Sequence, residues 1–211
     1  EMMWLIALRN DRSLLVPKVL PAKDGSLVQT IHKPDLAKPR HAVVYSFLPG
    51  IEPTNNEMNL EFERLGELCA HLHLHAKGWT PPKGFTRPSW TPNVILDDQM
   101  GFGPWQKGVD VEGDTLILFS LLENVVRRRL EELPTDHANF GLIHSDLRLA
   151  NLLFDGDSTA IIDFDGCGFG WYLFDLAGSL TLLEARPDVS QLIASWLAGY
   201  GRITQTPTGS E

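Results

Sequence analysis

The stretch from Gly141 to Leu180 constrains what this chain can fold into more than any other part of it. It contains two polar motifs, HSDLRLAN and IIDFDG, separated by two short apolar strands at 152–154 and 159–162. The residues between these strands, Asp-Gly-Asp-Ser, are typical of a tight hairpin turn. Because a hairpin brings the outer ends of its strands together, the sequence predicts that the two motifs meet at its base.

The residue types in these motifs suit the transfer of a phosphoryl group, which needs in-line positioning and charge neutralisation more than covalent help. Magnesium prefers hard oxygen ligands, so Asn151 and Asp163 are candidate metal ligands, with Asp165 as an outer one. Asp146 is the candidate group that accepts a hydrogen bond from an attacking hydroxyl. The guanidinium of Arg148 matches the geometry of a phosphate oxygen and is a further catalytic candidate.

The order and spacing of the two motifs are more specific than either motif alone. An aspartate five residues before an asparagine occurs by chance in many proteins, and DG turns between apolar strands are ordinary hairpin signals. Both motifs in this order, each at the end of a strand, are much rarer, so we interpret them as kinase-like. His144, at the start of the first motif, is expected to act mainly by packing and hydrogen bonding within the catalytic loop.

The stretch resembles the aminoglycoside phosphotransferase and choline kinase-like family, the small-molecule relatives of protein kinases. HSDLRLAN is similar to the family's H-G-D-x-H-x-x-N loop, IIDFDG to its I-D-F-D pattern, and FDLA at 174–177 to the aspartate segment that follows. Where the family often has glycine and histidine, this chain has Ser145 and Arg148.

This resemblance implies a role for each matching residue. Asp146 is then the catalytic base, and Asn151 and Asp163 hold magnesium. Asp175 is expected to support the catalytic loop through hydrogen bonds without meeting the substrate.

Upstream, the chain resembles the latter half of a kinase small lobe. Residues 1–8 have the apolar pattern of a helix, with Met3 or Trp4, Ala7 and Leu8 on one face. Three short strands are predicted to follow, at 15–20, 25–31 and 42–47.

The resemblance also implies a nucleotide site in this part of the chain. Glu1 has the spacing of the family's helix glutamate, which pairs with the phosphate-binding lysine. Ser46, Phe47 and Leu48 match the hinge, whose backbone groups hydrogen-bond adenine, although the same residues could simply end a strand.

The phosphate-binding lysine and the glycine-rich loop of the family have no counterpart in the sequence. Because the backbone of a glycine-rich loop approaches phosphate closely, we expect these residues alone to bind ATP poorly. We interpret the chain as a fragment truncated in the small lobe, and a degenerate chain with an impaired nucleotide site is the alternative.

Two long amphipathic helices are predicted in the large lobe, at 59–77 and 114–133. The apolar residues of the first helix are Leu60, Leu65, Leu68, Leu72 and Ala76. The stripe that the second helix is predicted to bury consists of Leu116, Phe119, Leu122, Val126 and Leu130. Two further helices are predicted at 173–184 and 189–200.

Three histidines, His71, His73 and His75, lie within the first long helix. His71 and His75 are four residues apart and share a face, as metal ligands on a helix do. No glutamate or cysteine completes such a site nearby in the pattern, so we favour solvent-facing or hydrogen-bonded histidines.

The segment 78–113 is rich in proline and tryptophan and is predicted to be an ordered excursion, because its aromatic residues are too many for a disordered linker. These aromatic residues are Trp79, Phe85, Trp90, Phe102 and Trp105. Packing is the favoured role, and a pocket for a cationic amine is the alternative.

The composition of the chain limits the kinds of binding partner and the cellular location that are expected. A formal net charge of −9 argues against non-specific nucleic-acid binding and is compatible with a cationic substrate. Cys69 and Cys167 lie far apart without a secretory signal, which fits a reducing, cytoplasmic location. No apolar run is long enough to span a membrane. The oligomeric state is left open.

The sequence therefore predicts an α+β, two-lobed protein kinase-like fold, with a partial β-rich small lobe at 1–50 and a mainly helical large lobe at 51–211. The predicted activity is ATP- and Mg²⁺-dependent transfer of phosphate to a hydroxyl of a small molecule such as an amino alcohol, a sugar or an aminoglycoside. A catalytically impaired binding module and a Ser/Thr protein kinase are the alternatives. The short segment 167–172 argues against the protein kinase, because it leaves little room for an activation loop.

Overall fold

A computed structural model describes residues 1–11, 13–34, 38–53, 58–97 and 103–207 of the chain. Within these residues the helices are α1 (Met2–Leu8), α2 (Met58–Gly78), α3 (Pro92–Leu96), α4 (Gly113–Glu131), α5 (Leu173–Ser179) and α6 (Val189–Ile203). The strands are β1 (Val19–Leu20), β2 (Gln29–Ile31), β3 (Arg40–Ala42), β4 (Val44–Tyr45), β5 (Phe140–Ile143), β6 (Leu152–Asp155), β7 (Ser158–Ile161) and β8 (Gly168–Trp171). The fold is mixed, as the sequence predicts, and no helix in the described ranges is long and apolar enough to cross a bilayer.

The predicted N-terminal helix is confirmed as α1, and Trp4 and Leu8 of its predicted apolar face are fully buried. Met3 is 42% exposed, whereas Met2 and Leu5 are buried together with Trp4 and Leu8. Of the two residues that the sequence left open for this face, Trp4 is the buried one, and the buried face also includes Met2 and Leu5. Trp4 is fully buried and packs edge-on against Phe164, at 5.5 Å between ring centroids.

The strands β1 to β4 are shorter than predicted and form two antiparallel pairs, β1 with β4 and β2 with β3. Pro17 lies in the first predicted strand and has no N–H for a ladder. Asp24 accepts hydrogen bonds from the backbone and hydroxyl of Ser26, which delays the second strand by holding a turn. The third predicted strand is divided at Val43, where the chain passes from one pair to the other.

The predicted hairpin is confirmed as β6 and β7. Its register pairs Leu152 with Ile161 and Asp155 with Ser158 around a tight turn. Gly156 has a φ of +57° in that turn, a conformation that glycine adopts without steric cost. The backbone of Phe154 exchanges two hydrogen bonds with Ile51, at 2.9 and 3.0 Å, which joins the hairpin to the segment after β4.

The segment 167–172 is largely a strand. β8 pairs antiparallel with β5, the strand that leads into the HSD motif, with Ile143 opposite Gly168. The described part of the aromatic excursion packs against this region, since the indole N–H of Trp90 donates to the carbonyl of Gly166 at 2.9 Å. Phe102, one of its predicted aromatic residues, lies outside the described residues.

Helices α2 and α6 cross closely and build much of the core. Two glycines allow the contact, because a Cβ on Gly66 would lie 2.0 Å from the carbonyl oxygen of Trp196. A Cβ on Gly199 would lie 1.9 Å from the carbonyl oxygen of Glu63. The prediction for α2 is confirmed except at Leu60, which is 61% exposed.

The helix predicted at 114–133 is confirmed as α4, but the prediction that it buries an apolar stripe was wrong. Leu116, Phe119 and Leu122 are 37%, 39% and 54% exposed, and none of the residues of α4 is buried. Within the described chain, the apolar residues that contact this face include Leu96 and Trp105, which cover it only in part.

Helix α5 ends at Ser179, earlier than the predicted 184. The hydroxyl of Ser179 donates to the carbonyls of Asp175 and Leu176, and the chain then turns through Leu182, which has a φ of +69°. A non-glycine residue at such a φ is typical of a turn and interrupts a helix. Helix α6 continues to Ile203, three residues beyond the prediction.

Candidate active site

The HSD motif leaves β5 in a strained conformation that three contacts hold. Ser145 has a φ of +72°, a region that costs a non-glycine residue about 1–2 kcal/mol. Its hydroxyl donates to the carbonyl of Gly166 at 2.6 Å, and its backbone N–H donates to Asp175 at 2.6 Å. The backbone N–H of His144 donates to the other oxygen of the same carboxylate, at 3.1 Å. The φ explains why glycine suits this position in the family that the sequence resembles.

Asp146 and Asn151 contact each other directly. The Asn151 amide donates to the backbone carbonyl of Asp146 at 2.7 Å and to its carboxylate at 3.0 Å. A single turn at Leu149–Asn151 returns the chain toward Asp146 and makes these contacts possible. The amide carbonyl oxygen of Asn151 has no hydrogen-bond partner among the described residues, so it remains free to bind a cation.

Asp163 lies beside Asn151 because of the hairpin register. Beyond the Leu152–Ile161 pair, the backbone N–H of Ile162 donates to the carbonyl of Asn151 at 3.0 Å. Asp163 then takes a left-handed conformation, φ 65° and ψ 60°, which starts the turn Phe164–Gly166. Strained residues of this kind cluster at functional sites.

The charge around Asp163 suits a divalent cation. Burial raises the pKa of its carboxyl, and the neighbouring charges of Asp165 and Asp146 raise it further. In the part of the chain that the structure describes, neither Asp163 nor Asp165 forms an ion pair with a lysine or arginine. Carboxylate and amide oxygens with uncompensated negative charge fit a hard cation such as Mg²⁺.

His144 is fully buried behind this site. One ring nitrogen contacts the carbonyl of Ile162 at 3.0 Å, and the ring packs against Phe164 with 4.5 Å between centroids. Burial lowers the pKa of His144, so the ring is neutral near pH 7 and donates to that carbonyl. These contacts join the HSD motif to the IIDFDG motif.

Arg148 lies beside Asp146. Its Nε is 2.9 Å from one carboxylate oxygen in an ion pair without good hydrogen-bond alignment, and one terminal nitrogen is 3.4 Å from the other oxygen. Both side chains are more than a third exposed. Arg148 also borders a depression of about 280 Å³ that includes Glu52 and Thr181.

The predicted nucleotide-binding residues line one cleft of about 530 Å³. Glu1, Ser46, Phe47 and Leu48 share it with Ile162, Asp163, Phe164 and Asp165. Glu1 accepts a hydrogen bond from the hydroxyl of Tyr45 at 2.5 Å.

Within the hinge segment, the residues differ in their hydrogen bonding. The backbone N–H of Ser46 donates to the carbonyl of Lys18 at 2.8 Å, and the Ser46 hydroxyl oxygen accepts from the backbone N–H of Lys18 at 3.0 Å. Phe47 is 89% exposed. Within the described chain, no backbone hydrogen bond engages Phe47 or Leu48, so their backbone groups are the ones available to a ligand.

Sequence reasoning missed a buried polar cluster behind the catalytic loop. Cys69 and His73 of α2 and Asp175 of α5 offer ligand-type atoms within 4.8 Å of one another. The prediction of solvent-facing or hydrogen-bonded histidines is confirmed for His73, but its partner Asp175 arrives from a distant part of the chain and was not anticipated. The spacing of Cys69 and His73, four residues apart on one helix face, is the sequence signal that could have indicated this cluster.

This cluster is already occupied by hydrogen bonds. Both ring nitrogens of His73 are engaged, one with Asp175 at 3.0 Å and the other with the hydroxyl of Tyr200 at 2.9 Å. Both oxygens of Asp175 accept from the catalytic loop. A metal would have to displace these contacts, so we read the cluster as a hydrogen-bond network.

Comparison with known sequences gives relatives that include kinases of small molecules. The chain is 26% identical over 180 residues to amicoumacin kinase of Bacillus subtilis, covering 84% of this chain and 50% of the relative. It is 28% identical over 185 residues to homoserine kinase of Pseudomonas aeruginosa, covering 83% and 51%. The chain thus spans about half the length of the curated relatives it matches.

Comparison with solved structures agrees. A microcompartment-associated aminopropanol kinase superposes with a TM-score of 0.86 and 39% identity, covering 98% of this chain and 64% of the other. An amicoumacin kinase in complex with AMP-PNP and Ca²⁺ gives a TM-score of 0.77 at 20% identity, covering 97% and 61%, which shows a shared fold. The sequence model of the phosphotransferase enzyme family matches residues 1–209. The chain therefore belongs to the phosphotransferase enzyme family and has its protein kinase-like fold.

Proposed function

We propose that the protein transfers the γ-phosphate of ATP to a hydroxyl group of a small molecule. The observation that carries the proposal is the direct contact of Asn151 with Asp146 at the hairpin base, next to Asp163 and a cleft of about 530 Å³. Membership of the family and similarity to kinases of small molecules support it.

Asp146 would accept the hydrogen bond of the acceptor hydroxyl and aim its oxygen at the γ-phosphorus. A bond forms between that oxygen and phosphorus while the bond from phosphorus to the β–γ bridging oxygen breaks, and the hydroxyl proton passes to Asp146. Asn151 holds the Asp146 carboxylate in place through its amide, which limits the orientations of the base.

Asn151 and Asp163 would hold a divalent cation through hard oxygen atoms, with Asp165 beside them; when bound, the cation neutralises charge on the phosphates. We propose Mg²⁺, which is consistent with this donor set. Glu1 and the backbone of Ser46, Phe47 and Leu48 would face the nucleotide across the cleft.

We propose an amino alcohol as the acceptor. The relative with 39% identity is an aminopropanol kinase, and homoserine, the substrate in another relative's name, also carries a hydroxyl and an amine. The negative charge of this chain is compatible with a cationic acceptor. In this proposal residues 1–50 supply the nucleotide side and residues 51–211 the catalytic side, and the protein works in the cytoplasm, where ATP is abundant and cysteines stay reduced.

The test uses the complete gene product with ATP, Mg²⁺ and, in separate reactions, 1-amino-2-propanol, homoserine, choline and a panel of serine peptides. Phosphorylated product is followed by ³¹P NMR. We expect turnover of an amino alcohol that Asp146→Asn reduces by about 10²–10⁴-fold, the usual contribution of a general base. Asp155→Asn, an exposed aspartate of the same hairpin, is the matched control and should leave turnover unchanged.

The outcomes separate the alternatives. Phosphorylation of peptides but not of amines would replace the proposal with a protein kinase. Binding of ATP without transfer to any acceptor, and without an effect of Asp146→Asn, would identify a binding module.

A further inference from the structure

We propose that the depression beside Arg148 is the subsite for the ammonium group of the acceptor, and that Glu52 is its specificity-determining residue. The inference rests on the proposed function, because it names the part of the site that recognises the proposed amino alcohol. The depression has a volume of about 280 Å³. Among the described residues it shares no lining residue with the nucleotide cleft, so a second ligand can occupy it while the nucleotide is bound.

The first wall of the depression is fixed to the hairpin of the candidate active site. Glu52 directly follows Ile51, whose backbone exchanges hydrogen bonds with Phe154 at 2.9 and 3.0 Å. Gly50 lies against the same strand, because a Cβ there would be 2.9 Å from the Cβ of Leu153. The position of Glu52 relative to the candidate metal ligands is therefore set by backbone contacts.

The turn after α5 forms another wall, which includes Thr181. Helix α5 approaches the catalytic loop closely, since a Cβ on Gly178 would lie 3.2 Å from the carbonyl oxygen of Ser145. Ser145 precedes the candidate base Asp146, and Arg148 completes the depression from the same loop. A ligand in the depression would thus lie next to the group that receives the hydroxyl.

The charges around the depression favour a cation. The charge of Arg148 is compensated by Asp146, with 2.9 Å between Nε and a carboxylate oxygen. Glu52 is exposed and forms no ion pair in the part of the chain that the structure describes. The uncompensated charge is therefore negative and complements an ammonium group. A carboxylate on the acceptor would be repelled by Glu52 and would compete with Asp146 for Arg148.

The uncharged residues of the depression suit the rest of a short amino alcohol. Within the described chain no hydrogen bond uses the hydroxyl of Thr181, so its oxygen can accept from an ammonium together with Glu52. Apolar side chains supply a surface for the carbon skeleton, and they are Pro53, Leu149, Ala150, Leu182 and Leu183. The hydroxyl of the acceptor would then face Asp146 while its ammonium faces Glu52.

Glu52→Gln in the complete gene product removes the charge and keeps the shape of the side chain. We expect kcat/KM for 1-amino-2-propanol to fall about 10–100-fold, the effect of losing a hydrogen bond to a charged group, with the KM for ATP unchanged. Turnover of 1,2-propanediol, which has a hydroxyl in place of the ammonium, should not fall. Glu52→Asp keeps the charge and should restore most of the loss.

Glu184→Gln is the matched control. Glu184 is an exposed glutamate of the segment after α5 that does not line the depression, so its neutralisation should leave both substrates unaffected. An equal loss in Glu184→Gln and Glu52→Gln would overturn the inference, because it would indicate a general effect of the negative charge of the protein.

Calorimetric titration with 1-amino-2-propanol, in the presence of Mg²⁺ and AMP-PNP, measures binding without transfer. We expect the Kd to rise in Glu52→Gln by the same factor as kcat/KM falls. A wild-type protein that binds the amine and phosphorylates no acceptor would refute the proposed function, while the titration would still decide the subsite.

Four results would overturn the inference. The first is an unchanged Kd and kcat/KM for the amine in Glu52→Gln, and the second is a wild-type protein that does not bind the amine. A rise in the KM for ATP alone would assign Glu52 to the nucleotide. A higher kcat/KM for homoserine than for 1-amino-2-propanol would show that the site accepts a carboxylate.

Discussion

Helices α2 and α4 have similar sequence patterns and opposite environments. Both are long, amphipathic and confirmed as helices, yet α2 buries Phe62 and Leu65 completely while α4 has no buried residue. The difference is the partner. Helix α2 meets α6 at two glycines that let the backbones approach, whereas among the described residues α4 is covered only in part, by side chains such as Leu96 and Trp105. An apolar stripe thus predicts a helix and a preferred face, and it does not predict that the face is covered.

The same substitution on the two helices should give the largest contrast. Phe62→Ala removes a fully buried ring and should cost about 3–5 kcal/mol of unfolding free energy. Phe119→Ala removes a ring that is 39% exposed and packs on Trp105 alone among the described aromatic rings, so it should cost about 1 kcal/mol. Urea unfolding of both variants measures the difference. Similar losses would mean that α4 is covered in solution.

Two glycine substitutions on α6 test whether backbone proximity is what distinguishes α2. Gly199→Ala places a methyl group against the carbonyl of Glu63 and should destabilise the fold by about 1–3 kcal/mol, because a backbone atom cannot move aside easily. Gly201→Ala adds the same methyl group where nothing lies within 4 Å, and should stabilise the helix by about 0.5–1 kcal/mol. Thermal unfolding shows whether each variant is less or more stable than the wild type. A loss of stability in both variants would refute the argument.

The third contrast is pH dependence, since α2 carries a buried histidine and α4 has none. Burial lowers the pKa of His73, so below about pH 6.5 the unfolded chain binds a proton that the folded chain does not. The free energy of unfolding is therefore unaffected by this group above about pH 6.5. Below that pH it decreases as the solution becomes more acidic, by at most about 1.4 kcal/mol per pH unit. Burial also lowers the pKa of His144 and His75, which adds slope of the same sign.

His73→Gln isolates the contribution of that residue, whose ring faces Asp175, Tyr200, Cys69 and, at longer range, Lys77. We expect a shallower loss of unfolding free energy between pH 6.5 and 5 than in the wild type, measured by urea titration at each pH. His71→Gln is the control and should run parallel to the wild type. Equal slopes in His73→Gln and wild type would show that His73 does not remain neutral in the fold.

Local sequence was enough for the part of the candidate site that one hairpin builds. Asn151 and Asp163 lie at the base of a hairpin whose two strands, β6 and β7, are neighbours in the sequence. A DG turn between apolar strands predicts how these strands pair. The aspartate beyond the hairpin was expected to support the loop from the family resemblance alone. Its contacts with His144 and Ser145 agree with that expectation, whereas the role of the site residues in catalysis stays a prediction.

The remaining features depended on residues far apart in the chain. The hydrogen bonds from His73 to Asp175 and from Tyr200 to His73 join three helices, and no period or motif in the sequence relates them. The ion pair of Arg148 with Asp146 was also unexpected, because the sequence pattern suggested a phosphate contact for the arginine.

By itself, the sequence determined the hairpin with its two motifs and the helical segments, because these depend on short-range periodicity and turn chemistry, and it indicated the fold class through its resemblance to a known family. Only the tertiary structure decided which apolar face is buried and which histidine is enclosed, and it also revealed how the catalytic loop is held. The physical reason is that burial and hydrogen-bond partners belong to pairs of surfaces, and the second surface of each pair is specified elsewhere in the chain.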